Sequence, residues 1–317
     1  MNLLSLLLTV FGLSLFEIIS SIDNAIINAE VLSNMSQKAR RWFLVWGILF
    51  AVFMVRGFLP LVLVWISVPG IGILEALTAT FKGDPAVYKA IETSSPVLLN
   101  GGGVFLIFLF FHWLFLETKN FGLKGERFLQ SQGAWFYTVV SILLTIIVWY
   151  GLKQGSLLAF GAVVGSTAFF ITHGFKQYAQ AQEENMLGKQ SHLSDISKIL
   201  YLEVIDATFS VDGVVGAFAF TLSIPIIFLG NGLGAIVLRN ITISNISKIK
   251  KYKYLKNGAM YSILFLGIIM ISNAYGFKVP EWISPIVTFA IVGYFFQKSR
   301  MELKILEDSI LEPTAKF

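Results

Sequence analysis

The 317-residue chain is 56% hydrophobic and only 14% charged, with a mean hydropathy of +0.73 and a net charge of +5. Soluble domains carry about 25% charged residues, so this composition excludes a soluble globular enzyme, a disordered chain and a nucleic-acid-binding module, and leaves lipid as the solvent for most of the surface. With no cysteine, disulfides, thiolate metal sites and cysteine nucleophiles are excluded, and three histidines leave little room for imidazole metal ligation.

A hydrocarbon core about 30 Å thick calls for about 20 apolar residues per spanning helix. Nine stretches fit that length: 3–32, 42–68, 97–116, 134–151, 156–175, 199–224, 232–246, 258–275 and 282–296. The expected fold class is therefore an all-α membrane protein of about nine transmembrane helices. The first stretch has no Lys or Arg before it and no small-residue cleavage site, and it carries Glu17 and Asp23, so it reads as a retained span. Residues 69–96 are too polar to span and read as short amphipathic helices, with Asp84 as N-cap and Pro85 as first helical residue. The run Asn100-Gly-Gly-Gly103 reads as a tight turn opening the third span. His112 and His173, near the ends of spans three and five, read as packed histidines. Pro225 reads as the end of span six before a turn at 230–232, with Asn231 a turn residue, and Pro285 as a kink in span nine. The chain then divides into a first half, 1–175 (spans one to five), a cytoplasmic linker, 176–198, a second half, 199–297 (spans six to nine), and a charged cytoplasmic tail, 298–317.

The basic residues set the orientation. With the N-terminus outside, eighteen of the 24 Lys and Arg fall in cytoplasmic loops and four, Lys82, Lys89, Lys153 and Lys278, fall outside. Arg56 and Arg239 lie within spans. This asymmetry is the positive-inside pattern, so the chain is expected in the cell (inner) membrane with its N-terminus outside and its C-terminus in the cytoplasm.

Two segments repeat one pattern. Glu17-Ile-Ile-Ser-Ser21-Ile-Asp23-Asn24 matches Asp206-Ala-Thr-Phe-Ser210-Val-Asp212-Gly213, and Gly47-x8-Arg56 downstream matches Gly230-x8-Arg239. Starts in spans one and six imply opposite orientations, an inverted-topology repeat of the kind secondary transporters use, with the site at the repeat interface. Each central charge costs roughly 2.5–3.5 kcal/mol on the insertion scale, so Glu17, Asp23, Asp206 and Asp212 must face a cavity, pair, bind a cation or be protonated. At 100° per residue Glu17, Ser21, Asn24 and Asn28 share one helix face, and Asp206, Ser210, Gly213 and Ala217 share the matching face. A 30-residue first span is about 45 Å of helix, which predicts breaks near 20–24 and 209–213. Carboxylates, Asn amides, Ser hydroxyls and freed carbonyls suit a hard divalent ion, Mg²⁺, Ca²⁺ or Mn²⁺. Arg56 and Arg239 are the expected counter-charges, Glu203 lies nearer the cytoplasmic mouth, and protons compete with the metal for the same oxygens.

At these residues the sequence resembles the TerC family of integral membrane proteins, named for tellurium resistance, and within it the branch of membrane domains of unknown function. The resemblance covers nearly the whole chain. It rests on Glu17…Ser21-Ile-Asp23-Asn24-Ala, on Asp206-Ala-Thr-Phe-Ser-Val-Asp212-Gly213-Val-Val-Gly216-Ala-Phe-Ala, and on Pro280-Glu-Trp282. It implies a multi-pass carrier related to the LysE-type exporter superfamily, several TerC members of which export Mn²⁺. Carried over, Glu17, Asp23, Asn24, Asp206 and Asp212 line the metal path; the helix faces and positions read above put Ser21, Asn28, Glu203, Ser210 and Gly213 beside it. Gly213, where the first copy has Asn24, removes one ligand from the second copy.

The expected activity is thus not enzymatic. It is export of a hard divalent cation, Mn²⁺ by resemblance, with proton coupling, no permanently bound cofactor, and the metal ion and the bilayer as partners, in a monomer or homo-oligomer. Three other readings use the same residues. One is a structural ion-pair network joining the halves. Another is a non-transporting scaffold of a metal- or tellurite-resistance complex. The third is an intramembrane aspartyl protease built on Asp23 and Asp212, which lacks a Gly-x-Gly-Asp signature.

Overall fold

In lipid a single segment can satisfy its own backbone only as a helix. The computed structural model describes residues 3–33, 35–47, 50, 56–67, 72, 85–187 and 194–311, and among these there are helices and turns and no strand. In chain order the helices are α1 (Leu3–Ser20), α2 (Ile22–Ser33), α3 (Gln37–Trp42), α4 (Leu59–Ser67), α5 (Pro85–Leu116), α6 (Glu126–Ser131), α7 (Trp135–Gln154), α8 (Ser156–Leu187), α9 (Asp195–Phe209), α10 (Val211–Ala217), α11 (Ile224–Lys250), α12 (Leu255–Ala274) and α13 (Ile283–Leu311). A π-helical turn, Phe43–Gly47, continues α3.

Among the described residues, five segments are long and apolar enough to cross a membrane: Leu3–Ser20, Thr93–Leu116, Trp135–Gln154, Ser156–Tyr178 and Leu255–Ala274. Four of them overlie the expected spans three, four, five and eight, and Leu3–Ser20 is the first part of the expected span one, whose remainder is α2. The expected span six divides into α9 and α10, span seven lies inside α11 and span nine inside α13. Part of span two, and residues 69–71, 73–84 and 312–317, lie outside the described residues.

Several expected turns are helix instead. Asn100–Gly103 sits in the middle of α5, which runs unbroken from Pro85 through Pro96. A methyl group on Gly101 would come within 2.7 Å of the Gly161 carbonyl oxygen, and one on Gly103 within 2.9 Å of the Gly267 carbonyl oxygen. The glycines therefore let α8 and α12 approach α5 backbone to backbone, the small-residue packing that holds membrane helices together. Residues 230–232 are likewise inside α11, where Ser14 Oγ donates to the Gly230 carbonyl at 2.9 Å and Gly234 leaves room for Glu17 Cβ and the Ser14 carbonyl. Pro225 and Pro285 sit in the first turns of α11 and α13, where a missing N–H costs nothing. Neither breaks nor kinks a span, and Pro285 packs on Gly12. The expected linker is helical as far as Leu187, and the tail as far as Leu311.

The largest buried side chains, among them Phe16, Phe108, Trp113, Phe136, Phe169 and Phe220, form the main core between α1, α5, α7, α8 and the α10–α11 connection. Phe11, Trp149, Phe160 and Phe175 face outward, as lipid solvation allows.

Candidate functional site

The two repeated motifs form two matching bends. The helix is interrupted at Ser21 between α1 and α2 and at Ser210 between α9 and α10. In both places a serine hydroxyl bonds back four residues: Ser21 Oγ to Glu17 Oε1 at 3.0 Å, and Ser210 Oγ to the Asp206 carbonyl at 2.6 Å. Serines bonding to the preceding turn bend helices. The bends are shallower than an unwound break. Ser21 N still donates to the Glu17 carbonyl at 3.2 Å and Ser210 N to the Asp206 carbonyl at 2.9 Å. Those two carbonyls are therefore occupied and are not free metal ligands.

The bends bring acids of both halves to one guanidinium. Arg56, 2% exposed, follows the first bend in π-helical backbone. It donates to Glu17 Oε1 from Nε at 2.9 Å and from Nη2 at 2.5 Å, and its Nη1 lies 3.8 Å from Asp206 Oδ2. Asp206 acts electrostatically on both Arg56 and Arg239. Arg239 Nη2 lies 3.3 Å from Glu203 Oε1 and 3.3 Å from the Phe43 carbonyl, and its guanidinium lies over the Phe43 ring at 3.9 Å. Glu17, Arg56, Asp206, Arg239 and Glu203 thus alternate in sign, with one carboxylate in excess over these five groups. Gly47 lies beside this chain, and a methyl group there would meet the Glu203 carboxylate and the Arg239 guanidinium, so both side chains would have to shift.

Glu17 is fully buried and asymmetric. Oε1 takes three donors, two from Arg56 and one from Ser21, whereas Oε2 has no hydrogen-bond partner. Oε2 faces Gly213, where an added Cβ would sit 2.7 Å away. Gly213, on the second repeat, therefore provides space for the acid of the first. Glu203 Oε2 and Asp212 Oδ1 are also buried and unpaired.

The other expected site residues are placed as follows. Asp212 does not join this chain; it pairs with Lys176 of α8. Asn28 is buried with its Oδ1 unpaired. The side chains of Asp23 and Asn24 lie outside the described residues. No group of three His or acidic side chains converges among the described residues, because arginine stands between Glu17 and Asp206 where the sequence placed a shared pocket. Lys176 escaped the sequence reading, which put it in a solvated linker; it is 8% exposed. Asn231, read as a turn residue, is fully buried in α11 with both amide atoms unpaired. Its signal was a lone amide in an apolar run.

Apolar spanning helices around buried ion pairs define a polytopic helical membrane protein with charge stored in its interior. A family described as "Protein of unknown function (DUF475)" matches residues 22–305, so the chain belongs to that family. Among curated proteins and solved structures, nothing matches the chain.

Proposed function

We propose that this protein is a nine-span membrane carrier of the TerC and LysE-like kind, with an inverted repeat, that exports a hard divalent cation, Mn²⁺ first, in exchange for protons. The observation that carries the reading is the Glu17 carboxylate: fully buried, saturated on Oε1 and without a partner on Oε2. Ionisable groups inside a membrane are costly and mark ion paths by default. An excess buried carboxylate is a standing attraction for a cation or a proton.

In this reading the ion pairs are the closed, ion-free state. A divalent cation entering past Glu203 takes over Glu17 and Asp206 as Arg56 withdraws from between them. Oxygen ligands of this type suit Mn²⁺, Ca²⁺ or Mg²⁺, and the Ser21 hydroxyl flanks the position. Asp212, held by Lys176, stands outside the cation set. Rocking of one repeat against the other about the Ser21 and Ser210 bends supplies alternating access.

In vesicles loaded with a Mn²⁺-quenched dye, the native chain is expected to carry Mn²⁺, and Glu17→Gln and Asp206→Asn each to reduce the flux at least tenfold. Lys278→Ala, on an exposed loop, is expected to leave it unchanged. Native flux in both acid variants would remove these residues from the path. One observation favours a second reading: Glu17, Glu203, Asp206 and Asp212 each have a cationic partner within 4 Å. That is what a purely structural ion-pair network requires. It predicts no saturable Mn²⁺ binding and no flux by the native chain.

A further inference from the structure

Two histidines outside the cation set lie ring against ring where α5 and α8 approach the 117–133 connection, which holds α6. His112 of α5 and His173 of α8 have ring centroids 3.8 Å apart at 52°. Phe169 stacks on His173 at 6° and Phe136 meets His112 edge-on at 5.5 Å, so aromatic rings wall the pair, and His112 is 6% exposed. Toward the loop, Glu117 Oε1 lies 3.5 Å from His112 Nδ1, and Glu117 Oε2 accepts from Lys256 of α12 at 2.8 Å. Gln177 Nε2 lies 3.1 Å from His173 Nε2. Toward the interior, Lys176 follows His173 by one helical turn on α8 and holds Asp212 of α10.

Two imidazoles in ring contact resist carrying two charges at once, because the second charge would lie against the first. The charges around them are of both signs. Glu117 attracts a proton to the pair, and Lys176, Lys256 and Lys119 oppose it. Lys119 itself donates to the Trp113 and Leu114 carbonyls, and burial pulls its ammonium down to about 8 against the opposing pull of Glu126 and Glu117. Burial pushes the Glu117 carboxyl up, yet His112 and Lys256 beside it hold it well below the usual carboxylate range. Glu117 therefore stays negative throughout the range in which imidazole titrates.

We propose that His112 and His173 together form the proton site of this carrier, binding a single exchangeable proton between Glu117 and Lys176. The proposal rests on the carrier reading above and names where its coupling ion binds. A proton reaching the pair in one state of the carrier forms one N–H bond, adding one positive charge, and that bond breaks to release the proton to the opposite side once the two repeats have rocked, with solvent on the Glu117 side serving one of the two exits. While the proton is bound, the imidazolium repels the Lys176 ammonium one turn away and loosens its hold on Asp212. The proton state of the pair is thereby read in the second repeat.

The test uses the full chain and two readouts. With ¹⁵N-labelled histidine in detergent micelles without metal, the pair is expected to titrate in two steps separated by about one pH unit or more. His173→Gln is expected to leave one step for His112. Lys176→Met is expected to raise the first step by about half a unit, since an opposing charge is removed. In vesicles holding a pH dye, His112→Gln with His173→Gln is expected to reduce Mn²⁺-driven proton movement at least tenfold, while Mn²⁺ quenching of tryptophan fluorescence keeps its native midpoint. Independent titration of the two imidazoles, with no response to Lys176→Met, overturns the site. So does native proton movement in the double variant. Failure of the native chain to carry Mn²⁺ overturns the carrier reading instead, and the titration still decides whether the pair binds one shared proton.

Discussion

Arg56→Met is expected to destabilise the folded chain by about 3–5 kcal/mol, the usual cost of removing one partner from a buried ion pair. The guanidinium gives two of the three hydrogen bonds that Glu17 Oε1 receives and stands beside Asp206 as well. Its loss leaves the fully buried Glu17 without its counter-charge and takes one counter-charge away from Asp206. Unfolding in mild detergent, followed by tryptophan fluorescence, is the measurement. Adding Glu17→Gln to Arg56→Met is expected to recover a large part of the loss, since the amide needs no counter-charge. The double-mutant cycle then gives a coupling within the range for residues in one network, up to about 3 kcal/mol. Additive effects would mean that the two groups do not share a bond in the folded state.

Lys176→Met tests the second stored pair. Asp212 is held by the Lys176 ammonium, and its Oδ1 is already unpaired. Removing the ammonium is expected to cost near the lower end of the same range, about 3 kcal/mol, because the Asp212 side chain is 14% exposed where Glu17 is fully enclosed. Asp212→Asn in the same chain is expected to restore most of it. Lys176→Arg is expected to restore less, because a planar guanidinium does not replace a compact ammonium at a point contact. A loss under about 0.5 kcal/mol, the range of ordinary surface changes, would return Lys176 to the solvated linker that its sequence position suggests.

The bends at Ser21 and Ser210 were legible because a 30-residue apolar run exceeds the bilayer and serine follows an acid by four residues in both copies. Spans three, four, five and eight were legible from unbroken hydrophobicity. The glycines at 101–103 and 230–232 misled, because glycine punctuates chains in water but packs helices in lipid. Arg56 and Arg239 could be named as counter-charges, since an arginine inside a span has few other uses. Lys176 could not, because a charge at the end of an apolar run marks a boundary until its partner, 36 residues away, is located. The histidines were each unremarkable alone, and only the packing of α5 on α8 brings their rings together.

In the proposed carrier, acids of the two repeats share a site in which a divalent cation replaces Arg56. Anomalous scattering from crystals of the full chain grown with Mn²⁺ tests it most directly. One peak is expected within about 2.0–2.6 Å of Glu17 and Asp206 oxygens, the span of hard-cation ligand distances, with the Arg56 guanidinium moved off Oε1. An intact Glu17–Arg56–Asp206 arrangement with no peak beside it, at Mn²⁺ concentrations that saturate any binding in solution, would contradict it.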